Sequence, residues 1–450
     1  MKLIVLALLA VSSLAVAATR PHYGGTMHVA AGISPSSLDP IALAQAESTM
    51  GDNLSALLFD TLVRMNDRGS VEPALATSWQ PEPGNQRWRF SLLKGVSFSD
   101  GTPLTSDVVA ASLRASNSAW KVFPAGDAVV IESDTPVFNL PAQLTLSRYA
   151  IAKRTASRVL GSGPYVVSQW DPGKRLVLAA RDDYWQGRPF VDTMEIDLGK
   201  NLRDQMIALD VGKAELIEVA PEQARHAGME NRRVETSSPS VLIALIFSRD
   251  PVSAEETRLR QALSAGIDRG ALSNVFFQGG ADPAGSVLPN WMTGYAFLFP
   301  ASADTARARQ IRGDIRQAST WILGYNISDP MSRVMAERIA LNARDAGILL
   351  QPSASGAADV RLARIPVPSL DQQLALALMA QASGLPQPNG TSASVEEMYS
   401  NESALVNAER IIPLLHARTA VGLAPSVKNW SENRIGRWQL PDVWLGAERP

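Results

Sequence analysis

Cysteine is absent from all 450 residues. That removes disulfides, thiol nucleophiles and thiolate metal sites together. Histidine is scarce as well: His22, His28, His226 and His416 are scattered and make no H-E-x-x-H or other ligand spacing. No G-x-x-x-x-G-K phosphate loop occurs, so neither a metal nor a cofactor is expected. Neither sign of charge is in excess, since 42 basic and 44 acidic residues leave a net charge of −2. A nucleic-acid partner is therefore not expected. Beyond the first residues no apolar run reaches the ~20 residues needed to span a bilayer. What is present is an ordinary globular composition, 46% hydrophobic and 19% charged. The length suffices for two or more lobes with sizeable cores.

The first residues stand apart. Met1-Lys2 is a short positive start, Leu3 to Leu14 is almost unbroken in its apolarity, and Ala15-Val16-Ala17-Ala18 fits the A-x-A cleavage rule. Residues 1–18 are expected to be a signal peptide, cut before Ala18 or Thr19. With no cysteine at the cut to carry a lipid, the mature chain is expected free in the periplasm or secreted.

Gly24 to Ala31 reads as a turn and an extended segment, and Ile33 to Pro40 as a loop. Ser48 to Leu62 carries Leu54, Leu57, Leu58 and Leu62 at helical spacing. Trp88, Phe90 and Leu92 alternate with polar residues, a half-buried strand. Ser106 or Asp107 is placed to cap the helix that follows. Val129 to Leu198 is strand-rich, and Glu255 to Ile267 is helical. Trp321 to Gln351 reads strand–helix–strand, with Met331 to Arg344 as its helix and Gly347 as its stop. That pattern implies a parallel sheet. Pro352 to Ala358 and Ser383 to Ser394 read as loops.

Seven stretches, in order, carry a resemblance. They are Gly24 to Pro40 (GGTMHVA with SSLDP), Val71 to Trp79, Arg87 to Val109, Gly161 to Val167, Arg181 to Asp192, Thr257 to Leu272 and Ile411 to Ala417. Together they are similar to the extracytoplasmic solute-binding proteins of peptide, dipeptide and nickel ABC importers. The resemblance implies an α/β fold of two lobes that close on a ligand like a flytrap, with an extra lobe inserted in the first. By segment it implies a first lobe from 19–58, 161–240 and 419–450. The inserted lobe would be 59–160, and the second main lobe 241–418. It further implies a monomer that captures a small solute or peptide and delivers it to a membrane permease.

Most of the matching residues have structural readings. Asp100, Gly101 and Asp107 fit a turn and a helix cap. Tyr184 and Trp185 fit a core corner. Arg258, Arg260, Asp268 and Arg269 fit surface pairing on one helix. Ser91-x-x-Lys94 and Ser118-x-x-Lys121 match a serine acyl-enzyme pattern, but no Lys-Thr-Gly accompanies them, and an enzyme is not expected. An envelope scaffold or chaperone that kept the fold without transport stays open as an alternative, with a hydrolase behind it.

The departures fall where ligand would be read. Val241 to Ser248 is aliphatic where peptide-binding relatives are rich in Tyr and end in Asn. Asp359 to Pro366 lacks the Trp-x-Ala-Asp aspartate that grips a peptide amine, and offers Arg361 and Arg364 instead. A guanidinium favours a carboxylate, sulfate or phosphate group. Three apart on a strand, the two arginines face opposite ways, so one can point into the cleft, and Arg364 is the better placed. The expected cleft residues are Ser34 and Ser36 on the first loop, Trp291 and Tyr295 after Leu288-Pro289, and Arg364. A small anionic or neutral solute is expected to bind more tightly than unmodified di- to pentapeptides.

Overall fold

The computed structural model describes residues 21–45, 48–230, 232–388 and 394–446. The expected signal peptide lies outside them. The fold is a mixed α/β arrangement in which one 11-stranded sheet runs through both halves of the molecule. In the first half Thr26–Ala30 lies parallel between Thr193–Asp197 and Leu216–Val219. The hairpin of Tyr165–Asp171 and Arg175–Ala180 extends the sheet outward from Thr193–Asp197. Met27, Val29, Leu54, Leu178 and Met194 bury one core on this side.

Two long strands, Arg233–Phe247 and Ile411–Leu423, carry the sheet from one half to the other. At one end, residues 420–423 pair with Leu216–Val219 and with residues 233–236. At the other, residues 241–247 pair with Val360–Pro366. Trp321–Gly324 and Leu350–Ser353 complete that half in parallel register, Trp321 opposite Leu350. Helix Ser332–Asp345 connects them, and Gly347 after it adopts φ +78. The strand–helix–strand reading of this stretch matches, except that the second strand begins two residues later and takes in Pro352. The aliphatic run Leu242 to Phe247 is buried on both faces, which is why it shows no alternation.

A separate four-stranded antiparallel sheet joins Ala76–Pro81, Arg87–Leu92, Ala128–Glu132 and Lys121–Ala125 in that order. Trp88 and Phe90 point inward from it as their alternation predicts. Helix Ser106–Ser116 contributes Val109 and Leu113 to the same core. Its cap is neither Ser106 nor Asp107: the Thr105 side chain accepts the Val108 N–H, while Ser106 turns its hydroxyl to the Gly126 carbonyl 2.8 Å away.

Two arginines expected on the surface are among the most buried residues. Arg260, 1% exposed, lies 3.9 Å over the Phe247 ring and pairs with Glu256 at 2.5 Å. Arg269 sits beneath backbone carbonyls. Helical spacing turned both toward the core, and each buried charge found acceptors there.

Candidate functional site

The middle of the two long strands is where the halves meet. Pro239 cannot donate to a ladder, and the pairing slips on both sides of it. Ser237 repairs the gap by accepting the Thr419 N–H at 3.0 Å and lying 3.1 Å from the Ser240 hydroxyl. Two cavities open along the seam beside this crossing. Strand Val360–Pro366 faces both, and its alternation sends Arg364 to one and Ile365 to the other.

The larger cavity is about 1300 Å³. Glu218 and Glu222 line it from the first half, and Asp329, Met335 and Arg364 from the second. Arg364 donates its Nε proton to Asp329 Oδ2 at 2.7 Å and pairs through Nη2 with Glu222. Burial alone would lower the Arg364 pKa, but the two carboxylates outweigh it and hold the group above its ordinary value. The charge of Arg364 is thus already matched twice, which removes the reason for expecting an anion there. Arg361 touches the same cavity, yet its guanidinium donates to the Ala382 carbonyl at 3.1 Å.

The smaller cavity is about 480 Å³ and is enclosed by three surfaces. Helix Thr49–Leu58 brings Thr49 and Asp52, the turn before residue 150 brings Ser147 and Arg148, and Ile365 to Pro368 form an apolar wall. Asp52 is matched by Arg437 at 3.3 Å and accepts the Ser147 hydroxyl. Arg148 has no carboxylate partner among the described residues. Its guanidinium reaches the Ser116 carbonyl at 3.4 Å and lies 5.3 Å from the Tyr149 ring centre. A guanidinium with no carboxylate partner among the described residues, on a chamber with one apolar wall, is the donor set for a carboxylate carried by a partly apolar solute.

Of the five residues expected at the cleft, Arg364 alone lines either of these two cavities. Ser34 turns its hydroxyl to the Gly173 carbonyl at 3.4 Å, outside both chambers. Ser36 is exposed and outside them too. Trp291 donates Nε1–H to the Pro239 carbonyl at 2.7 Å, bracing the crossing. Tyr295 packs edge-on against Tyr399, 5% exposed. The helical turn Asn290–Thr293 carries Trp291 and aims it back at the strands. Arg148, Glu222 and Asp329 carry no motif in the sequence; they meet the cleft only because distant segments converge. The two Ser-x-x-Lys pairs have a surface explanation, since Lys94 lies 3.4 Å from Asp127 and Lys121 2.7 Å from Asp134. The Lys121 pKa is raised by the Asp134 hydrogen bond, the opposite of what a general base needs.

Sequence and structure comparisons agree with this architecture. The nickel-binding protein NikA of Staphylococcus aureus is 25% identical over 245 residues, 50% of this chain and 49% of the relative. The glutathione-binding protein GsiB of Salmonella typhi is 25% identical over 311 residues, 63% and 60% of the two chains. The chain thus spans about half the length of the first of these relatives. In three dimensions the match is fuller. The ABC transporter-associated periplasmic binding protein DppA of Helicobacter pylori, solved with the peptide STSA, superposes with a TM-score of 0.78 at 17% identity, covering 95% of this chain and 99% of that one. NikA of S. aureus, solved with Ni(L-His)2, gives 0.77 at 17% identity over 93% and 99%. At that identity the superpositions establish the two-lobe fold. Residues 70–390 match the model of the bacterial extracellular solute-binding proteins, family 5, and the chain belongs to that family.

Proposed function

We propose that this protein captures a small carboxylate-bearing solute between its two lobes, outside the cytoplasmic membrane, and hands it to the permease of an ABC importer. The observation that carries the solute class is Arg148, a guanidinium without a carboxylate partner among the described residues, on the chamber that Ile365 to Pro368 also line. The family and the names of its relatives support the transport role, and their binding of peptides, glutathione or nickel shows how widely the scaffold is reused. The unit around the four-stranded sheet is taken as the inserted lobe, since it supplies Arg148 as a third wall of the cleft. The long strands through Pro239 and Thr419 are taken as the hinge. The protein works as a monomeric binder with no catalytic step. The A-x-A site implies a mature chain that starts at Ala18 or Thr19 and is free in the periplasm.

Calorimetry with a set of organic acids, their amides and short peptides tests the reading. An acid is expected to bind, its amide to bind far more weakly, and Arg148→Ala to weaken the acid by about 1.5–3 kcal/mol, the worth of a charge-assisted hydrogen bond. Equal binding of acid and amide, or indifference to Arg148→Ala, would overturn the assignment. Native mass spectrometry of material purified without refolding supplies the mass of any solute retained.

A further inference from the structure

Glu222, Arg364 and Asp329 form a triad that spans the seam. Arg364 and Asp329 belong to the same half of the molecule, on strand Val360–Pro366 and on the turn before helix Ser332–Asp345. Glu222 belongs to the other, three residues beyond strand Leu216–Val219. We propose that the Arg364–Glu222 pair is a latch that holds the two main lobes closed when no solute is bound.

Three features set this pair apart from a surface ion pair. The Glu222 side chain is only 7% exposed, so the carboxylate has given up most of its water and depends on Arg364 to replace it. Asp329 fixes the guanidinium from within its own lobe, which lowers the freedom Arg364 must surrender to reach across. Arg364 also stands opposite Ile243, close to the crossing of the long strands, so the lobes need travel only a short arc for the bond to form. Elsewhere on the seam two neutral–charged contacts reinforce closure without any solute. Asn139 donates to Asp371 Oδ2 at 2.9 Å, and Arg437 donates to the Pro368 carbonyl at 3.3 Å. Asp371 is held in place because its other oxygen caps helix Gln372–Ala382.

A solute shifts a two-state equilibrium only by its differential affinity for the two states. When the empty lobes already favour closure, solute entry waits on opening. The resting form then differs from a flytrap that stands open until filled. The inference does not depend on which solute Arg148 takes.

The test is small-angle scattering on the solute-free mature chain, with emptiness checked by native mass spectrometry. Unmutated protein is expected to scatter as the closed form. Glu222→Gln removes the charge from the bond between lobes and keeps Arg364–Asp329, so it is expected to shift the closed-to-open ratio about tenfold toward open, a change of ~1.4 kcal/mol, and raise the radius of gyration. Asp329→Asn removes the charge from the bond within the lobe and keeps the latch, and is expected to raise the radius less than Glu222→Gln does. Unmutated protein as expanded as Glu222→Gln, or a Glu222→Gln radius equal to that of the closed form, would overturn the latch. Should Glu222→Gln fail to fold, Glu222→Asp, which withdraws the carboxylate from Arg364 by one methylene, reads the same bond: expansion supports the latch and its absence overturns it.

Discussion

His416 and Glu402 hold the peptide between Val287 and Leu288 from its two ends. His416 Nε2 lies 3.0 Å from the Val287 carbonyl oxygen, and Glu402 Oε1 accepts the Leu288 N–H at 2.8 Å and the Val287 N–H at 2.6 Å. A carbonyl only accepts, so Nε2 carries the proton. Both side chains are buried, because this irregular segment crosses a core where its backbone groups have no water to bond. Burial holds the His416 pKa down to about 4 and raises that of Glu402 to about 7.

The two groups pull stability in opposite directions with pH. For His416 the unfolded chain binds more protons between about pH 4 and 6.5, so stability rises with pH through that window. For Glu402 the folded chain binds more between about pH 4.5 and 7, so stability falls through an overlapping one. Glu402→Gln keeps an oxygen for the two N–H groups and removes the titration. Measured by urea unfolding, its stability relative to the unmutated chain is expected to improve by roughly 2–4 kcal/mol from pH 5 to pH 8. A pH-independent difference would show that this carboxyl titrates near its ordinary value.

Arg269 is a buried cation with no carboxylate partner among the described residues. Nε donates to the carbonyls of Ala284 at 3.0 Å and Pro413 at 2.9 Å, and Nη1 to that of Ser264 at 2.8 Å. Burial alone pulls its pKa down to about 10. Arg269→Met nearly fills the space but strands three carbonyls, and is expected to cost about 3–5 kcal/mol. A loss under ~1 kcal/mol in thermal unfolding would mean that the carbonyls find other donors.

The sequence carried the elements whose burial is one-sided. The alternation around Phe90 and the helical spacing of Leu54, Leu57 and Leu58 each reflect one wet face and one dry face. Residues dry on all sides escaped the same reasoning, as Arg260 and Arg269 did, because charge ordinarily marks a surface and these charges are satisfied by carbonyls, a carboxylate and an aromatic ring. The cleft was legible as a location and not as a list. Arg364 stood out on a strand that lines the cleft, whereas its partners Glu222 and Asp329 lie 142 and 35 residues away. No local pattern encodes a contact of that range.

Motif residues that looked like separate corners converge on Asp60. Its carboxylate accepts the Ser162 hydroxyl at 2.7 Å, the Tyr184 hydroxyl at 2.9 Å and the Trp185 indole N–H at 3.1 Å. Ser162 comes from the Gly161 to Val167 stretch and the two aromatics from Arg181 to Asp192, so one acidic group ties both to the segment leaving helix Thr49–Leu58. The flanking glycines serve the same junction, since a Cβ at Gly161 would stand 1.8 Å from the Leu58 carbonyl oxygen. Desolvation raises the Asp60 pKa, against the three donors and Arg181, which lower it. Asp60→Asn can keep its oxygen for Ser162 and Trp185 and turn an amide N–H to the Tyr184 hydroxyl oxygen, so it exchanges charge-assisted hydrogen bonds for weaker neutral ones. It is expected to cost about 1–3 kcal/mol in urea unfolding. Ser162→Ala is expected to cost less, since it deletes one of the three donors and leaves the other two on the carboxylate. The double variant separates the two contributions: because the residues share one hydrogen bond, its loss should fall short of the sum of the single losses by at least ~0.5 kcal/mol. Strict additivity would show that Asp60 is not the point at which these segments are joined.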